Sequence, residues 1–207
     1  YEIASCLVGS EMCIRDRWQP GVVTGKPLEV GGSLGRNEAT GRGLLFTLET
    51  WCEKNHREMK DLTMVVQGFG NVGSVGSLLM HKEGVKIIAV GDINGTWKNP
   101  NGLDIEAMYV YANSHGRSLK GYTEEGASFI PDSELFAQDV DVIFAAAMEN
   151  QLNASTMEKV KAKLILEGAN GPTDETADKY FEEHGIEVLP DVMSNVGGVV
   201  GSYFEWV

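Results

Sequence analysis

The sequence predicts an α/β protein: a doubly wound, mostly parallel sheet with helices on both faces. Three observations carry the prediction. Five short apolar runs alternate with stretches of helical period, as a parallel sheet joined by crossover helices requires. Those runs are apolar throughout instead of alternating, as in strands covered on both faces. The pattern GFGNVG at 68–73 follows the first run directly and opens a helix.

The elements follow in order. From Asn37 to about Asn55, NEATGRGLLFTLETWCEKN places Leu44, Leu48, Trp51 and Cys52 on one side of a long amphipathic helix. LTMVVQ (62–67) is the first strand, and VKIIAVGD (85–92), a helix length beyond the glycine turn, is the second. INGTWKNPNG reads as a loop because its Asn, Gly and Pro residues favour turns, and a helix follows from Asp104 to about His115. VDVIFAAA (140–147), AKLILEGA (162–169) and IEVLP (186–190) are three further strands, with helices expected near Ser155–Val160 and Asp174–His184. SNVGGVVGSYFEWV reaches Val207 without a cap or stop signal and is expected to end inside a helix.

Bulk properties exclude several classes. A chain of 207 residues holds one full domain, or a domain plus a fragment of another, and 43% hydrophobic with 23% charged residues suits a globular chain with a core. Lys plus Arg number 17 against 30 Asp plus Glu, a net charge of −13 that repels phosphate backbones, so no nucleic-acid partner is expected. No apolar run approaches a membrane span and no signal-peptide order opens the chain, so no membrane partner and a cytoplasmic location are expected. Three cysteines, Cys6, Cys13 and Cys52, form neither an even framework nor a C-x-x-C pair. No metal site is expected, and Cys52 reads as a buried apolar residue in preference to a nucleophile.

The chemistry concentrates around the glycines. In a strand-turn-helix context Gly68 permits the tight turn, Gly70 lets a pyrophosphate approach the backbone, and Gly73 lets helix and strand pack closely. The helix N-terminus adds amide N–H groups and partial positive charge for the phosphates. This is the Rossmann-like fingerprint of a dinucleotide site, against the plainer reading of a structural turn. Asp92, ending the next strand, suits the ribose hydroxyls of NAD, unless a basic residue such as Lys98 offsets its charge for NADP; as a solvated strand end it would need no ligand. GGSLGRNEATGRG puts Arg36 and Thr40 about one turn apart near a helix start. Asn170 in EGANGPT lies just beyond a strand's C-terminal end, where ligands bind in open α/β sheets; it is either a carboxamide partner or a turn residue.

Six blocks, PGVVTGKPLEVGGSLGRNEATGRG, VVQGFGNVGS, AVGDINGTWKNPNGLDI, AAMENQL, KLILEGANGPT and VLPDVMSNVGGVVGSYFEWV, occur in one order and span Trp18 to Val207. Together they resemble the cofactor-binding domain of the glutamate dehydrogenases, within the Glu/Leu/Phe/Val dehydrogenases. The resemblance implies NAD or NADP as cofactor, reversible oxidative deamination of L-glutamate to 2-oxoglutarate and ammonia, and a homo-oligomer, a hexamer in that family. It implies that Thr40 contacts the nicotinamide end, that Asn71 and its neighbour Val72 in GFGNVG lie at the cofactor phosphates and ribose, that Asn170 holds the carboxamide, and that Ser202 binds the substrate's side-chain carboxylate. Without it Ser202 reads as an ordinary helix residue.

The family's catalytic lysine and aspartate belong to a substrate domain ahead of the VVTGKP block. No catalytic residue is therefore assigned, and 18–207 is expected to bind a dinucleotide without turnover as the truncated cofactor half of the enzyme. SCLVGSEMCIRDR matches nothing expected before WQPGVVTGKP and resembles a translated sequencing adapter, so residues 1–17 are read as non-native, with a divergent N-terminus as the alternative. Two other functions stay open. A Leu, Val or Phe dehydrogenase is disfavoured by TGKP and by Ser202, which suits a carboxylate better than an apolar side chain. The other is a non-catalytic dinucleotide-binding module.

Overall fold

The computed structural model describes residues 20–207. The expected non-native segment 1–17, with Cys6 and Cys13, lies outside the described residues. Among the described residues seven strands, β1 (Thr63–Gln67), β2 (Lys86–Asp92), β3 (Gly95–Lys98), β4 (Ser128–Ile130), β5 (Val142–Ala145), β6 (Leu164–Glu167) and β7 (Glu187–Leu189), form one sheet in the order β4-β3-β2-β1-β5-β6-β7. The pairings that link β2, β1, β5, β6 and β7 are parallel, whereas β2–β3 and β3–β4 are antiparallel. The five strands expected from sequence are the five parallel ones. The chain steps outward from β1 to β2 and later returns to β5 on the other side of β1, so the order reverses between β1 and β5. The crevice beyond the C-terminal ends of that pair is the natural ligand position.

Among the described residues six α-helices accompany the sheet: α1 (Ala39–Lys54), α2 (Asn71–Lys82), α3 (Ile105–Ser114), α4 (Glu175–Glu183), α5 (Asp191–Ser194) and α6 (Gly197–Trp206). Successive strand residues point to opposite faces, and both faces are apolar. Met64, Val66, Val142, Phe144, Leu164 and Leu166 pack under α1, α2 and α3 through Leu44, Leu48, Met80 and Met108. Val65, Ile143, Ala145 and Ile165 pack under Leu135, Phe136, Leu152 and the α4 residues Ala177 and Phe181. Cys52 is 3% exposed within the first of these layers, the buried apolar role expected of it. Opposite β1, β2 carries one extra residue: Met64 pairs with Ile87 and Val65 with Ala89. This irregularity lets Ile87 and Val90 reach one layer while Ile88 and Ala89 reach the other.

Three expectations need correction. The stretch expected as a loop contains β3, because Gly95 at φ +138° reverses the chain directly after Asp92, and burial of Trp97 rewards the pairing. The Trp97 indole N–H donates to the Tyr122 carbonyl at 3.1 Å, a partner distant in sequence. Strand β4 went unpredicted because its three residues form an edge whose Phe129 is exposed. The helix expected near Ser155–Val160 is only a 3-10 turn, Met157–Lys159. Asn153 Oδ1 accepts from the Ser155 amide and Thr156 Oγ1 from the Asn153 amide, both at 2.9 Å, and these local bonds displace the helical pattern.

Candidate functional site

The glycine turn joins β1 to α2 at the switch point. Gly68 has φ +90°, a left-handed conformation, and its amide donates to the Gly91 carbonyl of β2 at 2.8 Å. A Cβ on Gly73 would lie 1.8 Å from the Gly68 carbonyl oxygen, so only glycine lets α2 start this close to the strand. Gly70 differs, since nothing lies within 4 Å of the position its Cβ would take. Packing does not require glycine there; the open space suits a ligand that must touch the backbone. Helices α3 and α4 are capped by Asp104 and Asp174, which accept from the amides of Ala107 and Ala177, whereas Gly70 provides α2 with no side-chain cap. The first amides of α2, at Asn71, Val72 and Gly73, thus keep their donors for an anion. Asn71 itself is exposed on this first turn.

Beyond the turn lies a cleft of about 660 Å³ bordered by Val72, Thr40, Arg36, Ser202, Asn170 and Asn195, with residues 146–149 after β5 as a further wall. The structure therefore brings Thr40, Val72, Asn170 and Ser202 together. Gly68, Gly70, Asn71, Gly73 and Asp92 do not line this cleft; they form the adjoining turn and the end of β2. Ser202 is half-buried, and its Oγ accepts from Arg36 Nε at 3.0 Å. Arg36 has no salt-bridge partner among the described residues, so its terminal nitrogens remain available for a carboxylate.

Asn195, which sequence reasoning passed over, donates from Nδ2 to Asn170 Oδ1 at 2.7 Å. Its place before a glycine pair that starts a helix was the only available signal. Glu167, at the end of β6, supports both amides. Its carboxylate accepts from the Asp191 amide at 2.9 Å, its carbonyl accepts from Ser194 Oγ at 2.5 Å, and Asp191 Oδ2 accepts from the Gly171 amide at 2.8 Å. Burial pushes the Glu167 carboxyl above its ordinary value despite the bond from the Asp191 amide. The buried carboxylate thus locks α5 against the loop that carries Asn170.

Asp92 is more occupied than its sequence suggests. Oδ1 accepts from the Ile93 amide at 2.5 Å, and Oδ2 accepts from the Leu119 amide and from Asn94 Nδ2, both at 2.9 Å. It both ends β2 and fastens the 118–120 loop. Lys98 is not positioned to offset its charge, because the β3 register places Lys98 opposite Ala89 and Gly95 opposite Asp92, about 10 Å away along the strand.

A parallel core that reverses order at β1/β5, with a glycine turn closing onto an uncapped helix beside a polar cleft, defines a Rossmann-type α/β domain. The sequence model of the family Glutamate/Leucine/Phenylalanine/Valine dehydrogenase matches residues 31–207, and the chain belongs to this family of oxidoreductases. It is 45% identical over 188 residues to the glutamate dehydrogenase of Thermotoga maritima, covering 90% of this chain and 44% of that protein. The hetero-hexameric glutamate dehydrogenase of Thermus thermophilus, solved in a Leu-bound form, superposes with a TM-score of 0.81 at 33% identity over 90% of this chain and 43% of its own. The Plasmodium falciparum enzyme gives 0.84 at 27% identity, over 91% and 42%. The chain therefore spans less than half the length of these relatives. Among the described residues no helix is long and apolar enough to cross a membrane.

Proposed function

We propose that this chain supplies the dinucleotide-binding half of a glutamate dehydrogenase, which catalyses the reversible oxidative deamination of L-glutamate to 2-oxoglutarate and ammonia in the cytoplasm as an oligomer. One observation carries the reading: a single cleft, adjoining an open glycine turn, holds Thr40 and Asn170 together with an Arg36–Ser202 pair suited to a carboxylate. A nicotinamide dinucleotide supplies the hydride acceptor when bound. The chain's own groups bind and orient. The amides of Asn71, Val72 and Gly73 receive the phosphates, Asn170 and Thr40 fix the carboxamide end, and Asp92 meets the adenosine ribose.

Ser202 Oγ and the Arg36 guanidinium receive the substrate's side-chain carboxylate, which favours glutamate over leucine, valine or phenylalanine, since an apolar side chain would leave that pair unmatched. Holding both partners in one cleft contributes through orientation. No proton-transfer residue is assigned within 20–207. The chain is expected to bind dinucleotide.

Titration of the 207-residue chain with NADH and NADPH, followed by nucleotide fluorescence, tests the reading. Saturable binding with NADH preferred is expected. Asp92→Asn keeps an acceptor for the Leu119 amide but removes the charge, and should narrow the NADH preference roughly three- to tenfold. Absence of saturable binding by either nucleotide would refute the dinucleotide site.

A further inference from the structure

One wall of the cleft is a zipper between two segments running in opposite directions. Thr40 Oγ1 lies 2.4 Å from where a Cβ on Gly198 would stand. Arg36 Nε donates to Ser202 Oγ at 3.0 Å, and Arg36 Cδ lies 3.2 Å from the position of a Gly201 Cβ. The Ser33 amide donates to Glu205 Oε1 at 3.2 Å. The rungs advance one helical turn at a time along α6, from 198 to 202 to 205, against 40, 36 and 33 on the other segment. The last rung is the strongest. The Glu205 carboxylate accepts from the amides of Gly25, Lys26 and Ser33, the Lys26 ammonium sits 3.7 Å away, and the Glu205 side chain is fully shielded from solvent.

Little else fixes this segment. Leu28, Val30 and Leu34 are all exposed, so apolar burial does not hold residues 25–34 in place, and their backbone bonds are local turns. A shielded carboxylate accepting three amides is a strong, directional tie. Burial by itself raises the Glu205 carboxyl, but the Gly25 amide, the Lys26 charge and the Lys26 and Ser33 amides outweigh it and hold the group below its ordinary value.

We infer that Glu205 is a positioning residue: by clasping the 25–33 segment onto α6 it holds Arg36 against Ser202 and so aims the guanidinium into the cleft. Its importance for catalysis rests on the reading of that pair as the carboxylate subsite. Its geometry is independent of that reading and is tested without turnover.

In the arginine-labelled 207-residue chain, nuclear magnetic resonance reads hydrogen exchange at the Arg36 Nε–H, with Ser202→Ala giving the signature of an unheld Arg36. In Glu205→Ala, exchange at Arg36 Nε–H and at the amides of Gly25, Lys26 and Ser33 should rise at least tenfold while the β1 and β5 amides keep their protection. If the three amides loosen and Arg36 stays within twofold of the parent chain, Glu205 holds only the loop and the inference fails. Should the variant not fold, acid titration of the parent chain decides. The Arg36 Nε and Gly25 amide resonances should move together with one midpoint below the ordinary carboxylate range, and independent behaviour overturns the proposal. Added glutarate that binds elsewhere than Arg36 would instead count against the subsite reading alone.

Discussion

At the scale of single residues, the three fingerprint glycines are spelled alike yet serve different ends. Gly73 is required by packing, because any Cβ would collide with the Gly68 carbonyl at 1.8 Å. Gly73→Ala must displace α2 from β1, and a loss of at least about 2 kcal/mol in urea unfolding is expected. Gly70 has open space above it and φ −74°, which an alanine can adopt. Gly70→Ala should stay within about 1 kcal/mol of the parent chain in stability while its NADH affinity falls tenfold or more. A stable Gly70→Ala variant with unchanged affinity would show that this open space is not the ligand's. The sequence pattern marks all three positions, but only the packing separates structural from ligand-facing glycine.

At the scale of elements, the buried Glu167 carboxylate joins β6 to α5 and thereby holds Asn170 and Asn195 in one place. Burial raises its carboxyl. The folded state therefore binds the proton more tightly than the unfolded chain, and this group's contribution is fully present below the ordinary carboxylate pKa and is lost as pH rises through the raised value. Glu167→Gln retains an acceptor for the Asp191 amide and removes the buried charge. It should be as stable as the parent chain or more so, by roughly 1 kcal/mol, at pH 8, with the difference vanishing near pH 4. Thermal melts at the two pH values check this; a destabilisation present at pH 8 and absent near pH 4 would mean that the charged carboxylate itself is the tie. The α1–α6 contact is another inter-element device that the sequence does not announce. A Cβ on Gly197 would stand 2.1 Å from the Ala39 carbonyl, so the glycines of SNVGGVVG exist to let two helices meet, and that contact places Ser202 against Arg36.

At the scale of the whole molecule, the two edges of the sheet divide the work. The C-terminal edge carries the cleft, while the N-terminal edge is fastened by Asp141, whose carboxylate accepts from the Thr63 amide at 3.0 Å and Oγ1 at 2.8 Å and pairs with Arg57 at 2.9 Å. Burial raises the Asp141 carboxyl, but the Thr63 bonds and Arg57 outweigh it and hold it below its ordinary value. Its stabilisation is thus present above the ordinary carboxylate pKa and is lost as pH falls through the lowered one. Asp141→Asn should cost about 1–3 kcal/mol at pH 7, and its gap to the parent chain should close as pH drops below about 4, measured by urea unfolding across pH. A gap independent of pH would assign the loss to geometry instead of charge.

Neighbouring residues alone specify the five parallel strands, the two-faced apolar core and the glycine turn, because buried strands and tight turns leave their period and composition in adjacent residues. Those residues do not reveal β3, β4, the role of Asn195, the bonds that Asp92 makes to Asn94 and Leu119, or the Glu205 clasp. Those depend on partners distant in the chain: Trp97 with Tyr122, Asn170 with Asn195, Asp92 with Leu119, and Glu205 with Gly25 and Ser33. Local pattern encodes what a segment buries, and only the tertiary fold decides which distant donor meets which acceptor.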